Sequence, residues 1–156
     1  MPRVTTVNAA RKDYPDHGIK KGDTYYWWKF RFGPVHKSKI YPKRQQLTQS
    51  AFLQALYDAE DALGGMCCFD DIAEIVDQLQ GMRDECEESL ENMPEGLRDS
   101  SDSGILLQER IDGLESAISE LEQFEEPTRE DYEDDDAYDE AISDVIEEAQ
   151  STSFDF

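Results

Sequence analysis

The spacing of hydrophobic residues changes once along the chain, near residue 48, from a period of two to a helical period. Residues 24–32 alternate, with Tyr26, Trp28, Phe30 and Phe32 on one face and Tyr25, Trp27, Lys29 and Arg31 on the other. That is the pattern of a β-strand. Residues 4–7 give a short strand before it, Gly33 and Pro34 a turn after it, and residues 35–40 a returning strand that carries Lys37 and Lys39. A twisted β-hairpin or small three-stranded sheet is expected, with the Tyr26 face as its core.

Beyond Tyr41 and Pro42 the apolar residues recur every three or four positions. Thr48 is the expected N-cap of a helix over residues 49–63, with Phe52, Ala55, Leu56, Ala59 and Leu63 on one face and Gly64 and Gly65 at its end. A second helix is predicted over residues 66–92. Phe69, Val76, Arg83 and Leu90 form one row at seven-residue spacing, and Ile72, Leu79, Cys86 and Met93 another. Two such rows form a coiled-coil seam, which Arg83 interrupts and Gly81 weakens. After Pro94, Gly96 and a polar loop around Ser100 and Ser103, a third helix over residues 104–124 carries Leu107, Ile111, Leu114, Ile118 and Leu121. Each heptad stretch lasts only about three repeats, which favours an intramolecular antiparallel hairpin over a homo-oligomer. From Glu125 onward there are 14 acids and one base, Arg129. Residues 130–136 are expected to be solvated and mobile, and Tyr138, Ile142, Val145, Ile146 and Ala149 to form a short amphipathic helix.

The predicted fold class is therefore α+β, mostly α: a small N-terminal β-hairpin or sheet module, an antiparallel helical hairpin, and an acidic C-terminal helix and tail. The corresponding segments are 1–46, 47–124 and 125–156.

Charge sharpens this division. Residues 1–50 hold 11 Lys and Arg against three acids, a net +8; the rest hold four against 34, a net −30, giving −22 for the whole chain. A surplus of that size opposes compaction, so the helices need an apolar core to offset it.

Several function classes find no support in the residues. The two histidines, His17 and His36, both lie in the basic head, and there is no Gly-rich phosphate loop and no CxxC pair. Neither a nucleophile–base constellation nor a structural zinc site is expected, so the reading is of a non-enzyme without metal or cofactor. Cys67, Cys68 and Cys86 are expected as buried thiols, because an adjacent pair is poorly placed for a mutual disulfide. No apolar run approaches the roughly 18 residues of a membrane span, and residues 1–10 lack a signal-peptide stretch. A cytoplasmic protein is expected.

Binding remains. Tyr25 and Trp27 beside Lys29 and Arg31 offer flat rings next to cations, and Lys37, Lys39, Lys43 and Arg44 add charge to the same module. Two readings stay open for that face: stacking on unpaired bases with cations on phosphates, or covering the helical body with ion pairs to its carboxylates. The +8 of the head favours single-stranded nucleic acid. For the acidic helices, the plain reading is a solvated exterior; the sharper one is a DNA mimic, with carboxylates standing in for phosphates.

Residues 19–33 (IKKGDTYYWWKFRFG), with Lys37, Ser38, Lys39 and residues 47–50, resemble the head of a family of small uncharacterised bacteriophage proteins. Residues 92–97 (NMPEGL) and 106–110 (LLQER) are similar to the same family, so the likeness spans most of residues 10–124. It implies a phage protein acting in the host cytoplasm and carries no assigned activity. The head is also similar to short zinc-finger hairpins, but without their cysteines. The tail, ending in Phe154, Asp155 and Phe156, resembles the acidic tails of single-stranded-DNA-binding proteins, which end in an aromatic residue and recruit replication partners. That resemblance implies exposed rings that anchor in a partner's pocket. The functional expectation is a phage accessory or adaptor protein whose head binds nucleic acid or a nucleoprotein and whose body or tail binds a basic protein. The alternatives are an acidic DNA mimic that inhibits a host DNA-binding or defence enzyme, and a virion or assembly component.

Overall fold

In the computed structural model, which describes residues 1–154, the chain divides into two compact units, residues 1–54 and residues 55–156. The fold is α+β and mostly helical, with a small antiparallel sheet followed by helices.

In the first unit, β1 (Thr5–Val7), β2 (Tyr25–Lys29) and β3 (Val35–Ser38) form a sheet in the order β1-β2-β3, both pairings antiparallel. Trp27 stands opposite Thr5 on one side and Lys37 on the other. The alternating segment thus folds as a strand, but a shorter one than its pattern suggests. Residues 31–33 turn away, the Gly33 amide donates to the Phe30 carbonyl, and Phe32, expected in the core, is 91% exposed.

The second unit is built on all but the first turn of α1 (Ala51–Gly65), with α2 (Asp71–Glu91), a single turn α3 (Glu95–Arg98), α4 (Asp102–Leu121) and α5 (Asp135–Gln150). The start of α1 is capped by Ser50 and not by Thr48, since the Ser50 hydroxyl accepts the Leu53 amide at 3.4 Å. α2 and α4 run antiparallel. Ile72 at the start of α2 shares a groove with Phe124 just past α4, and Leu90 near the end of α2 shares one with Ile105 near the start of α4.

The buried hydrophobic residues are Ile72, Ile75, Val76, Leu79, Met82 and Cys86 on α2, and Ile111, Leu114, Ala117, Ile118 and Leu121 on α4. One expected heptad row is therefore present, Ile72–Leu79–Cys86. Of the other row, Val76 is buried and shares a groove with Phe124, and Leu90 shares one with Ile105; Ile75 is buried beside these rows and borders Ala62 and Gly65 of α1. Arg83, in the same row as Val76, is half-buried; it binds Asp84 at 2.7 Å and reaches Glu87 at 3.8 Å.

The expected polar loop after α2 is a built corner. Arg98 donates to the Met93 and Glu91 carbonyls at 3.0 and 2.6 Å, and Ser101 caps α4 by accepting the Gly104 amide at 3.0 Å. A Cβ on Gly104 would collide with the carbonyl oxygens of Leu97 and Arg98, so close backbone packing dictates glycine there.

The acidic stretch after α4 was expected to be mobile, yet it has a definite course. Arg129 binds Asp135 at 2.6 Å and donates to the Tyr132 carbonyl at 2.9 Å, and Asp134 caps α5 by accepting the Ala137 amide at 2.8 Å. One arginine and one cap organise the six crowded acids of residues 130–136 because the positive end of the helix faces them. The end of α5 is fastened as well, Gln150 donating to the Met66 carbonyl at 3.0 Å. Cys86 is buried as expected. Cys67 and Cys68 are exposed instead, because they precede α2 and lie off its buried stripe. No helix among the described residues is long and apolar enough to cross a membrane.

The two glycines in these helices have opposite roles. Gly81 is exposed in α2 with open space at its Cβ position, so Gly81→Ala is expected to raise the melting temperature of the body through a gain of about 0.5–1 kcal/mol. Gly104→Ala should lower it, by about 1–3 kcal/mol, as the corner is forced apart. Melts followed by helical circular dichroism check both; equal shifts would mean that the corner is not tightly packed.

Candidate functional site

In the basic unit the sheet offers two faces, and each buries a ring: Tyr25 on one and, as expected, Trp28 on the other. On the Tyr25 face, the 17-residue connection from β1 to β2 folds back over the sheet instead of looping outward. The Ala10 amide donates to the Asp23 carbonyl at 2.8 Å and the Gly22 amide to the Ala10 carbonyl at 2.9 Å. Further out, Tyr14 and Ile19 exchange backbone hydrogen bonds around a short 3-10 turn closed by Gly18, whose φ of 62° suits glycine.

This second tier lays Ile19 and Tyr14 against the strand. Ala10, Ile19 and Tyr25 form a buried cluster with Val7, Tyr14 and Trp27 packed around it. Tyr25 is 8% exposed, so it is a core residue and not an open stacking platform. Burial, followed by its hydrogen bond with Tyr14, pushes the Tyr25 hydroxyl pKa up.

The cations expected beside these rings are dispersed. Lys37 lies over the Tyr14 ring, its Nζ 3.5 Å from the centroid, and Lys39 is paired with Asp23 at 2.8 Å. Lys29 and Arg31 are exposed at the β2–β3 turn, the Arg31 guanidinium 5.2 Å from the Phe32 ring. Lys43 and Arg44 are exposed beside the short 3-10 helix Arg44–Leu47. The eight residues expected as one surface are thus split between a core, two engaged lysines and two exposed pairs.

The opposite face buries Trp28, as expected of a core, and beside it carries an open cleft. Trp28 is 4% exposed, donates its indole N–H to the Gln46 carbonyl at 3.1 Å, and is stacked on His36 with ring centroids 5.4 Å apart. Phe30 meets His36 edge-on at 5.7 Å. Around these rings lies a cleft of about 530 Å³ bounded by Pro34, Gln46, Thr48, Gln49 and Gln54. Phe30 also forms a wall of a second cleft of about 280 Å³ with Met1, Pro2, Leu47 and Leu53.

Half-buried rings with primary amides at their rim suit a planar heterocycle that stacks on one side and hydrogen-bonds at its edge. His36, Gln46 and Gln49 were not singled out from sequence. The signal available was the glutamine density of residues 45–54, which reads at first sight only as the approach to a helix.

In the acidic unit, Asp71 accepts the Cys67 and Cys68 amides at 2.9 and 3.2 Å. These bonds, with one from the Cys68 thiol, hold the Asp71 carboxyl below its ordinary value; the same thiol bond pushes Cys68 up, away from thiolate. Of the expected tail anchors, Phe154 is 3% exposed and so is part of this unit's own core, contrary to the expectation of an exposed ring. Thr152 beside it is buried and bonds Glu120 at 3.4 Å. Asp155 and Phe156 lie outside the described residues.

The chain matches no family model, no curated protein and no solved structure.

Asp23 ties the folded-back connection to the sheet. Its hydrogen bond with Lys39, then that from the Lys20 amide, holds its carboxyl below the ordinary aspartate value. A carboxyl depressed on folding stabilises the fold above the unfolded value of about 3.9, and the contribution is lost as pH falls through the lower folded value. An NMR titration is expected to place the Asp23 midpoint below that of an ordinary aspartate, and Lys39→Met to move it upward. An unmoved midpoint would show that the pair is not formed in solution.

Proposed function

We propose that this is a phage-encoded, non-enzymatic accessory protein of the host cytoplasm. Its basic head binds single-stranded nucleic acid, free or in a nucleoprotein, and its acidic helical body binds a basic protein partner. The observation that carries the head's role is the cleft of Trp28, Phe30 and His36 rimmed by glutamine amides, set in a unit of net charge +8. An unpaired base stacks on Phe30 or His36 while Gln46 or Gln49 contacts its edge, and the exposed Lys29, Arg31, Lys43 and Arg44 meet phosphates. Duplex bases are already stacked and paired, so single strands are preferred. The phage assignment rests on the likeness of residues 19–33, 92–97 and 106–110 to that family.

A second reading, the DNA mimic, is favoured by one observation: the acids of residues 130–136 are held by Arg129 and by the Asp134 cap, and a mimic needs a fixed negative field. The two readings differ in the molecule bound. An adaptor head binds the oligonucleotide itself, whereas a mimic displaces DNA from a basic host protein.

Fluorescence anisotropy of the full chain with a labelled oligothymidylate at low salt tests the head. Binding that weakens with salt is expected, with a loss of about 1–3 kcal/mol on Phe30→Ala, the range for one stacked base. Phe32→Ala, at the exposed turn outside the cleft, should change it far less. If the wild-type chain leaves the oligonucleotide free at low salt, or if Phe30→Ala binds as well as wild type, the cleft reading is wrong.

A further inference from the structure

The hairpin of the acidic unit leaves a groove beside its seam. Phe69, just before α2, and Phe124, just after α4, stand half-buried at its walls, with Ile72 and Val76 between them and a volume of about 410 Å³. Its edge carries Asp70 and Asp77 on one side and Glu122 and Glu126 on the other, all four exposed. The unit's arginines are placed elsewhere. Arg83 is paired with Asp84, Arg98 donates to the end of α2, Arg129 is paired with Asp135, and Arg110 acts on Cys86, farther along α2.

We infer that this groove is the docking site for a basic amphipathic helix of another protein, which sets its apolar side chains between Phe69 and Phe124 and its Lys or Arg residues against the four carboxylates. This rests on the reading of the body as a partner-binding element and names the place and the chemistry of the partner.

The occupant follows from charge and shape together. An apolar trough alone accepts any hydrophobic segment, but here an acidic or neutral one would leave four carboxylates facing low-dielectric surface. A second copy placed body against body would bring two acidic rims together, in units of net −30 each. Nucleic acid is repelled for the same reason. Asp70 and Asp77 lie seven residues apart, about two helical turns or 10 Å, which suits cations one heptad apart on the incoming helix. The helix completes a three-helix arrangement on the α2–α4 pair, a common way for a groove to read apolar anchors at i, i+3, i+4 and i+7.

The test uses the full chain and a synthetic probe, an amidated 14-residue peptide with leucines at i, i+3, i+4 and i+7 and lysines at most other positions. A scrambled peptide of the same composition keeps the charge and loses the apolar face. At physiological salt the patterned peptide is expected to bind at least about tenfold more tightly than the scrambled one, and Phe124→Gln to remove most of that difference. Ile105→Gln, at the far end of the hairpin, should leave it intact. Equal binding of the two peptides would overturn the groove while leaving the body a binder of cationic partners. Absence of binding by either peptide would overturn that broader reading too. A self-association abolished by Phe124→Gln would instead give the groove to a second copy. Should Phe124→Gln unfold the chain, a photo-crosslinker on the patterned peptide supplies the second measurement: adducts within residues 69–80 or 122–126 are expected, and adducts confined to other segments would sink the proposal.

Discussion

The acidic unit exists because one apolar seam outweighs its own charge. Between α2 and α4, Leu79, Leu114 and Leu121 are removed completely from water, and Ile72, Ile75, Met82, Cys86, Ile111 and Ile118 nearly so. Against this stands a net −30, with four arginines to moderate it. Burial is proportional to area and insensitive to salt, whereas repulsion among exposed carboxylates is spread over the surface and screened. The details around the seam serve the same constraint. Arg83 neutralises Asp84 and Glu87 beside the seam, the Arg98 corner closes the hairpin without adding polar groups to its core, and Phe154 adds a buried ring from the end of the chain.

Charge segregation gives the two units different reach. On the proposed reading, the cationic unit gathers polyanions from a distance and discriminates among them by its cleft, and the anionic unit repels the same molecules and attracts basic proteins. An adaptor needs that division, because each end then rejects the ligand of the other. Both proposed sites pair a diffuse field of one sign with a small set of aromatic residues, Phe30 and His36 in the head, Phe69 and Phe124 in the body. The field brings a ligand near, and the rings decide whether it stays.

Much of the architecture was legible because it follows from period. The alternation about Trp27, the repeat of Ile72, Leu79 and Cys86, and the spacing of Ile111, Leu114, Ile118 and Leu121 each place an element of the right type. What period does not carry is which face meets what. The two faces of β2 are equally aromatic and each buries a ring, Tyr25 on one and Trp28 on the other; only the non-local return of residues 8–23 over Tyr25 closes that side, so that the cleft lies on the other. Phe154 looked exposed because six terminal residues lack enough apolar surface to fold alone; its burial comes from a helix that delivers it to an existing core.

The claim that an apolar seam holds the acidic unit against its own charge is tested most directly by the salt dependence of its melting temperature. The full chain is melted at neutral pH, with helical circular dichroism as the readout, in sodium chloride from about 10 to about 200 mM, where screening changes most. A steady rise with salt is expected, since repulsion is relieved while the seam is untouched. A fall would contradict the account, because it would mean that ion pairs, and not buried leucines and isoleucines, hold the helices together.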